Sequence, residues 1–136
     1  EPYGGPDGLK RLVDACHVRG LAVLLDVVYN HLGPEGCYLT TFGPYVTDRF
    51  RTPWGGAINL GERGADEVRR FIVDNALTWL RDYHLDGLRL DAIPYLHERE
   101  GTNGENLPET HEELRRLRAH VDAKYGDRML LAEANQ

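Results

Sequence analysis

No stretch approaches the ~18 consecutive apolar residues that suggest a membrane-spanning helix, and no charged-then-apolar leader opens the chain, so a membrane partner is not expected. Cysteine is scarce. Cys16 and Cys37 are the whole complement of 136 residues, too few for a disulfide framework and without the spaced partners of a metal cluster, which points to a reducing, cytoplasmic setting. Basic charge is outweighed: 16 Lys and Arg against 22 Asp and Glu leave a net charge of −6, with no basic run to meet a phosphate backbone. Nucleic acid is therefore not an expected partner. Missing too is any G-x-G-x-x-G or P-loop pattern after a strand, which argues against a flavodoxin-like or other nucleotide binder. An initiator Met is absent: "EPYGGPDGL" reads as a loop entering a helix and "LLAEANQ" stops just past an apolar run, so both ends read as interior to a longer chain.

What is present is ordinary for a folded domain, 41% hydrophobic and 28% charged. Asp7 as N-cap, Leu9, Leu12, Val13 and Cys16 at helical spacing and Gly20 as the stop predict a helix over 8–19. "LAVLLDVVYN" is apolar at consecutive positions, the pattern of a strand buried on both faces of a parallel sheet. Residues 31–64 hold three of the seven prolines and many glycines, with Tyr38, Phe42, Tyr45 and Trp54 among them, and read as a long loop excursion with flat faces for a ligand. Val68, Phe71, Ile72, Ala76, Trp79 and Leu80 predict a helix over 65–83. "LDGLRLDAI" follows as a second buried strand, then a helix from Pro108 to near Gly126, then "RMLLAEA" as a third strand. Helix and strand alternate, so the class is α/β with parallel pairing.

Each predicted strand ends in polar residues: Asp26, Asn30 and His31; Arg89 and Asp91; Glu133 and Asn135. In parallel sheets and barrels the carboxyl ends form the face where ligands bind. Plainer readings exist for each residue. Asp26 can be a structural acid, His31 a satisfied structural histidine, Arg89 with Asp91 an internal ion pair, and Glu133 a cap for a following helix. The chemical reading is that Arg89 and Asp91, two apart on a strand, share a face, where the guanidinium keeps the carboxylate ionised as a nucleophile suits. Glu133, on the neighbouring strand and in drier surroundings, would then serve as acid and base. Two carboxyls about 5–5.5 Å apart with that division of labour perform retaining glycosidic chemistry.

"DVVYNH" (26–31), "GLRLDAI" (87–93) and "LLAEAN" (130–135) resemble, in order, three signature regions of glycoside hydrolase family 13, the α-amylase family. The resemblance implies a partial (β/α)8 barrel, strands three to five, with barrel parts over 1–30 and 65–136 and a small-domain excursion over 31–64. It implies Asp91 as nucleophile, Glu133 as acid/base and Arg89 as keeper of the nucleophile's charge. His31 becomes a donor to sugar hydroxyls, with Tyr38, Trp54 and Asn135 as further substrate contacts. Asp26 becomes structural, and Asn30 a residue that ligates calcium in some relatives; the chemistry itself requires no cofactor. Within the family, residues 3–92 are similar to the trehalohydrolase branch and residues 93–136 to the trehalose synthase branch, although Gly104 and Cys37 stand where those branches usually have Cys and Asn. The implied substrates are α-glucans, maltose or trehalose, bearing α-glucosidic bonds. The alternative is a catalytically inactive piece that at most binds sugar weakly.

Overall fold

Leu25, Val27, Leu88, Leu90 and Leu130 all point to one side of a three-stranded parallel sheet, and the rest of the fold is built on that side. The computed structural model describes residues 3–102 and 104–134. Strand β1 (Leu24–Val27) pairs in parallel with β5 (Gly87–Leu90), which pairs in parallel with β6 (Met129–Ala132). Helices α1 (Gly5–Val18), α2 (Ala65–Asp82) and α3 (Pro108–Asp122) supply Val13, Val68, Ala76, Leu77, Leu80, Leu117 and Val121 to the core under the sheet. The class is mixed α/β, as the sequence pattern implies. Gly87 is required in β5: a Cβ there would lie 2.4 Å from the Met129 carbonyl oxygen and 2.6 Å from Leu24 Cδ2.

Three expectations need correction. Leu24, Met129 and Leu131 on the opposite side of the sheet are 43%, 55% and 51% exposed, so these strands are covered on one face among the described residues and not on both. A continuous apolar run shows that both faces suit burial, not that both are covered within the chain that carries them. Asp7 is not an N-cap, because α1 starts earlier, at Gly5, behind a left-handed Gly4, and Asp7 sits in its first turn. Residues 31–64 are also more than a loop. They carry an antiparallel sheet in the order β2 (His31–Leu32), β4 (Gly55–Ile58), β3 (Val46–Thr52), together with a 3-10 turn at Leu39–Thr41.

Glycine there marks close approach, not loop. A Cβ on Gly56 would meet Val46 Cγ1 at 2.6 Å, and one on Gly55 would meet the Leu32 carbonyl oxygen at 2.1 Å. Thr52 Oγ1 accepts the N–H groups of Trp54 and Gly55 at 3.3 and 3.2 Å, which folds the β3–β4 turn tightly and presents Trp54 at its tip. Asn59, 2% exposed, fastens the other end of the segment: its Nδ2 donates to Pro44 and Arg63 carbonyls and its Oδ1 accepts from the Glu62 N–H.

At the opposite end of the parallel sheet from the strand-end acids, Asp86 Oδ2 accepts the Val23 N–H at 2.7 Å and lies 2.8 Å from His17 Nε2. Burial pushes this carboxyl up, but the Val23 N–H and His17 outweigh it and hold it below its ordinary value. Its contribution is therefore present above the ordinary carboxylate value of about 3.9 and is lost as pH falls through the lowered value. Asp86→Asn should lower stability by about 1 kcal/mol at pH 7 and by little near pH 2, because the group is partly solvated. Urea denaturation at both pH values checks this, and an equal loss at both would overturn it.

Candidate active site

The parallel register sets Asp26 opposite Arg89, and one residue past the strand ends it brings Asp91 and Glu133 onto the same side. Arg89 collects all three acids. Its Nη1 donates to both oxygens of Asp26 and to Asp91 Oδ1, each at 2.9 Å, and its Nη2 lies 3.0 Å from Glu133 Oε2. Asp26, ahead of Glu133 and Asp91, holds the guanidinium more firmly in its charged form than usual. The sequence reading paired Arg89 with Asp91; the structure makes Asp26 an equal partner.

Asn30 is fully buried and has both ends of its carboxamide engaged. Nδ2 donates to the Asp91 carbonyl oxygen at 2.7 Å, and Oδ1 lies 2.6 Å from His31 Nδ1. With Nδ1–H donating to Asn30, His31 Nε2 is left as an acceptor on a ring that lines the cleft. Among the described residues no group of three or more His, Cys, Asp or Glu is placed to hold a metal ion.

A cleft of about 500 Å³ is lined by His31, Trp54, Asp91, Ala92, Pro94, Tyr95 and Glu133. Trp54 spans it, tilted against His31 at 5.4 Å between ring centroids and edge-on to Tyr95 at 4.9 Å. Tyr95, on the short turn Ile93–Tyr95, was not among the residues singled out in the sequence, where the strand "LDGLRLDAI" was expected to end at Ile93. Tyr38 is not at this cleft. It is 75% exposed before the Leu39–Thr41 turn, where its carbonyl caps Thr41 and its ring meets nothing described. Tyr45 packs edge-on against Phe71 of α2 at 5.2 Å, and Asn135 lies outside the described residues.

The environment of Glu133 also departs from expectation. Its side chain is 46% exposed against 29% for Asp91, so it is the wetter carboxyl of the pair. The largest hollow, about 1230 Å³ between β3 and α3, is a poorer candidate despite its size. Its arginines are largely spent on neighbouring glutamates, Arg69 on Glu113 and Arg99 on Glu109, and it holds none of the strand-end acids.

The sequence profile of the α-amylase catalytic domain matches residues 62–136, more than half of the chain. The chain belongs to the α-amylase family, glycoside hydrolase family 13. Among curated members, the malto-oligosyltrehalose trehalohydrolase of Arthrobacter ramosus is 60% identical over 98 residues, which cover 72% of this chain and 17% of that protein. The trehalose synthase of Pimelobacter sp. (strain R48) is 71% identical over 177 aligned positions, which cover 98% of this chain and 30% of that protein. The chain thus spans less than a third of the length of either relative. In three dimensions it is similar to the pullulanase of Anoxybacillus sp. LM18-11 complexed with maltotriose, with a TM-score of 0.75 and 25% identity over 98% of this chain and 18% of that one.

Arg89→Met leaves Asp26, Asp91 and Glu133 crowded without their cation. Its melting temperature should fall below that of the unmodified protein at low ionic strength, and the gap should narrow in added salt, which screens the charges left without their partner. A gap that does not change with salt, followed by circular dichroism, would show that the guanidinium serves packing alone.

Proposed function

We propose that this chain is the strand-three-to-five sector of a (β/α)8 catalytic barrel in a retaining enzyme acting on α-glucosidic bonds of trehalose or malto-oligosaccharides. Residues 1–30 and 65–136 would be barrel and 31–64 a small inserted domain, and the bare side of the parallel sheet would face the barrel interior. The observation that carries the reading is the single guanidinium that gathers acids from three neighbouring strand ends beside an aromatic cleft. Asp91, paired with Arg89, is assigned as nucleophile, and Glu133 as acid and then base. His31 and Trp54 offer a polar edge and a flat face to one sugar ring. Asn30 is a positioning residue that links His31 to the Asp91 main chain. Two free cysteines accord with a reducing cytoplasm.

The acceptor in the second step separates the two kinds of relative. Water gives hydrolysis, whereas a freed glucose that stays and turns gives isomerisation, which requires a closed pocket. The protein carrying these residues at the full length of its relatives should be incubated with maltose and, separately, with maltooligosyltrehalose, and the products identified. Trehalose from either substrate supports the reading, and the productive substrate names the acceptor. Absence of trehalose and of any cleavage from both would overturn it. Asp91→Asn should lower kcat by on the order of 10³-fold or more and abolish labelling by a mechanism-based inhibitor; a variant that still labels would refute the nucleophile assignment.

A further inference from the structure

Ala92 follows the assigned nucleophile in the left-handed region, at φ 44° and ψ 51°, which an alanine does not favour. His84 and Asn106 are the other described non-glycine residues with positive φ, and of the three it is Ala92 whose N–H meets a strand-end acid. Strain at such a place invites a functional reading. The turn it makes grips Glu133 at three points. Leu90 O accepts the Glu133 N–H at 2.9 Å, the Ile93 N–H donates to Glu133 O at 3.1 Å, and the Ala92 N–H donates to Glu133 Oε2 at 2.9 Å. Arg89 Nη2 reaches the same Oε2, and no described donor takes Oε1.

We propose that Ala92 is a positioning residue: its left-handed backbone aims one N–H at Glu133 Oε2, which fixes the carboxyl's rotamer and leaves Oε1 as the oxygen that carries the catalytic proton. The proposal rests on Glu133 being the acid/base. In the first step the proton leaves Oε1 for the glycosidic oxygen as the C1–O bond breaks and an Asp91 oxygen bonds to C1. In the second, Oε1 takes a proton from the acceptor hydroxyl as that oxygen bonds to C1 and the Asp91 bond to C1 breaks. An acceptor-only Oε2, pinned by an amide and a guanidinium, cannot hold the proton in either step. The charged and titratable groups near Glu133 are Arg89 on β5, Asp91 just past it, Asp26 on β1 through Arg89, and His31 and Tyr95 in the same cleft.

The test uses the full-length protein with Ala92→Val, whose β-branched side chain resists positive φ, and Ala92→Asn, which tolerates it and keeps the N–H. Each is assayed on the oligosaccharide that the unmodified protein cleaves and on the matching α-glycosyl fluoride, whose leaving group needs little protonation. Ala92→Val should lose roughly 10–100-fold in kcat on the oligosaccharide and much less on the fluoride. Its alkaline limb of kcat/KM should move to higher pH, because a lost N–H no longer favours the carboxylate. Ala92→Asn should restore both. Equal losses on both substrates without a limb shift, or no loss at all, would overturn the proposal. A second readout needs no variant at this position: the Ala92 amide proton should titrate with Glu133 and cease to do so in Glu133→Gln, and a pH-independent amide overturns the proposal even where Ala92→Val fails to fold. Glu133→Gln cleaving as well as the unmodified protein would instead refute the acid/base assignment beneath it.

Discussion

The arrangement depends on a guanidinium placed where three carboxylates would otherwise repel one another. β1, β5 and β6 run parallel, so their carboxyl ends bring Asp26, Asp91 and Glu133 to one edge of the sheet. From the middle strand Arg89 reaches all three. Lysine could not substitute, because a single ammonium is a point donor, whereas the planar fork spends one nitrogen on Asp26 and Asp91 and turns the other to Glu133. The same fork puts two carboxyls to which different roles are assigned against one cation. Their difference must therefore come from their other partners and from exposure, not from charge pairing alone.

Those other contacts are made through the main chain. The Asp91 carbonyl is held by buried Asn30, while Glu133 is held by the N–H groups of Ala92 and Ile93. Each belongs to a residue just past a strand end, where ladder bonding stops and backbone polar groups become free to bond elsewhere. Left-handed Ala92, just past the end of β5, leads into the turn Ile93–Tyr95 that carries Tyr95 to the cleft wall.

The order of helices and strands was legible because α2 and α3 keep an apolar stripe over many residues and "LLDVV" and "GLRL" are short apolar runs between turn signals. Arg89, Asp91 and Glu133 could be placed on one face because period two and the strand boundaries follow from those runs. Three features were not legible, for separable reasons. The β2–β4–β3 sheet was hidden because Gly55 and Gly56, which signal loop by composition, are there to let Leu32 and Val46 approach. Tyr38 and Trp54 looked alike as aromatic residues among glycines. Only the Thr52 turn, a hydrogen-bond pattern without periodicity, brings Trp54 inward while Tyr38 stays outside. The exposure of Glu133 depends on what covers the open side of the sheet, which no local pattern encodes.

Two kinds of force hold the site, and they respond differently to solvent. The ion pairs of Arg89 are partly exposed, with Asp26 at 62% and Glu133 at 46%, so added salt screens them and their contribution is modest. The Asn30 bond to the Asp91 carbonyl and the Ile93 bond to the Glu133 carbonyl join neutral groups, and salt leaves them largely untouched. The main chain of both acids therefore stays in place when the charges are screened, while their carboxylates become freer to turn. A site built this way keeps its acids within reach of each other in concentrated electrolyte, and the charge network, together with the Ala92 N–H at Glu133, bears on the aim of the carboxylates and not on their position.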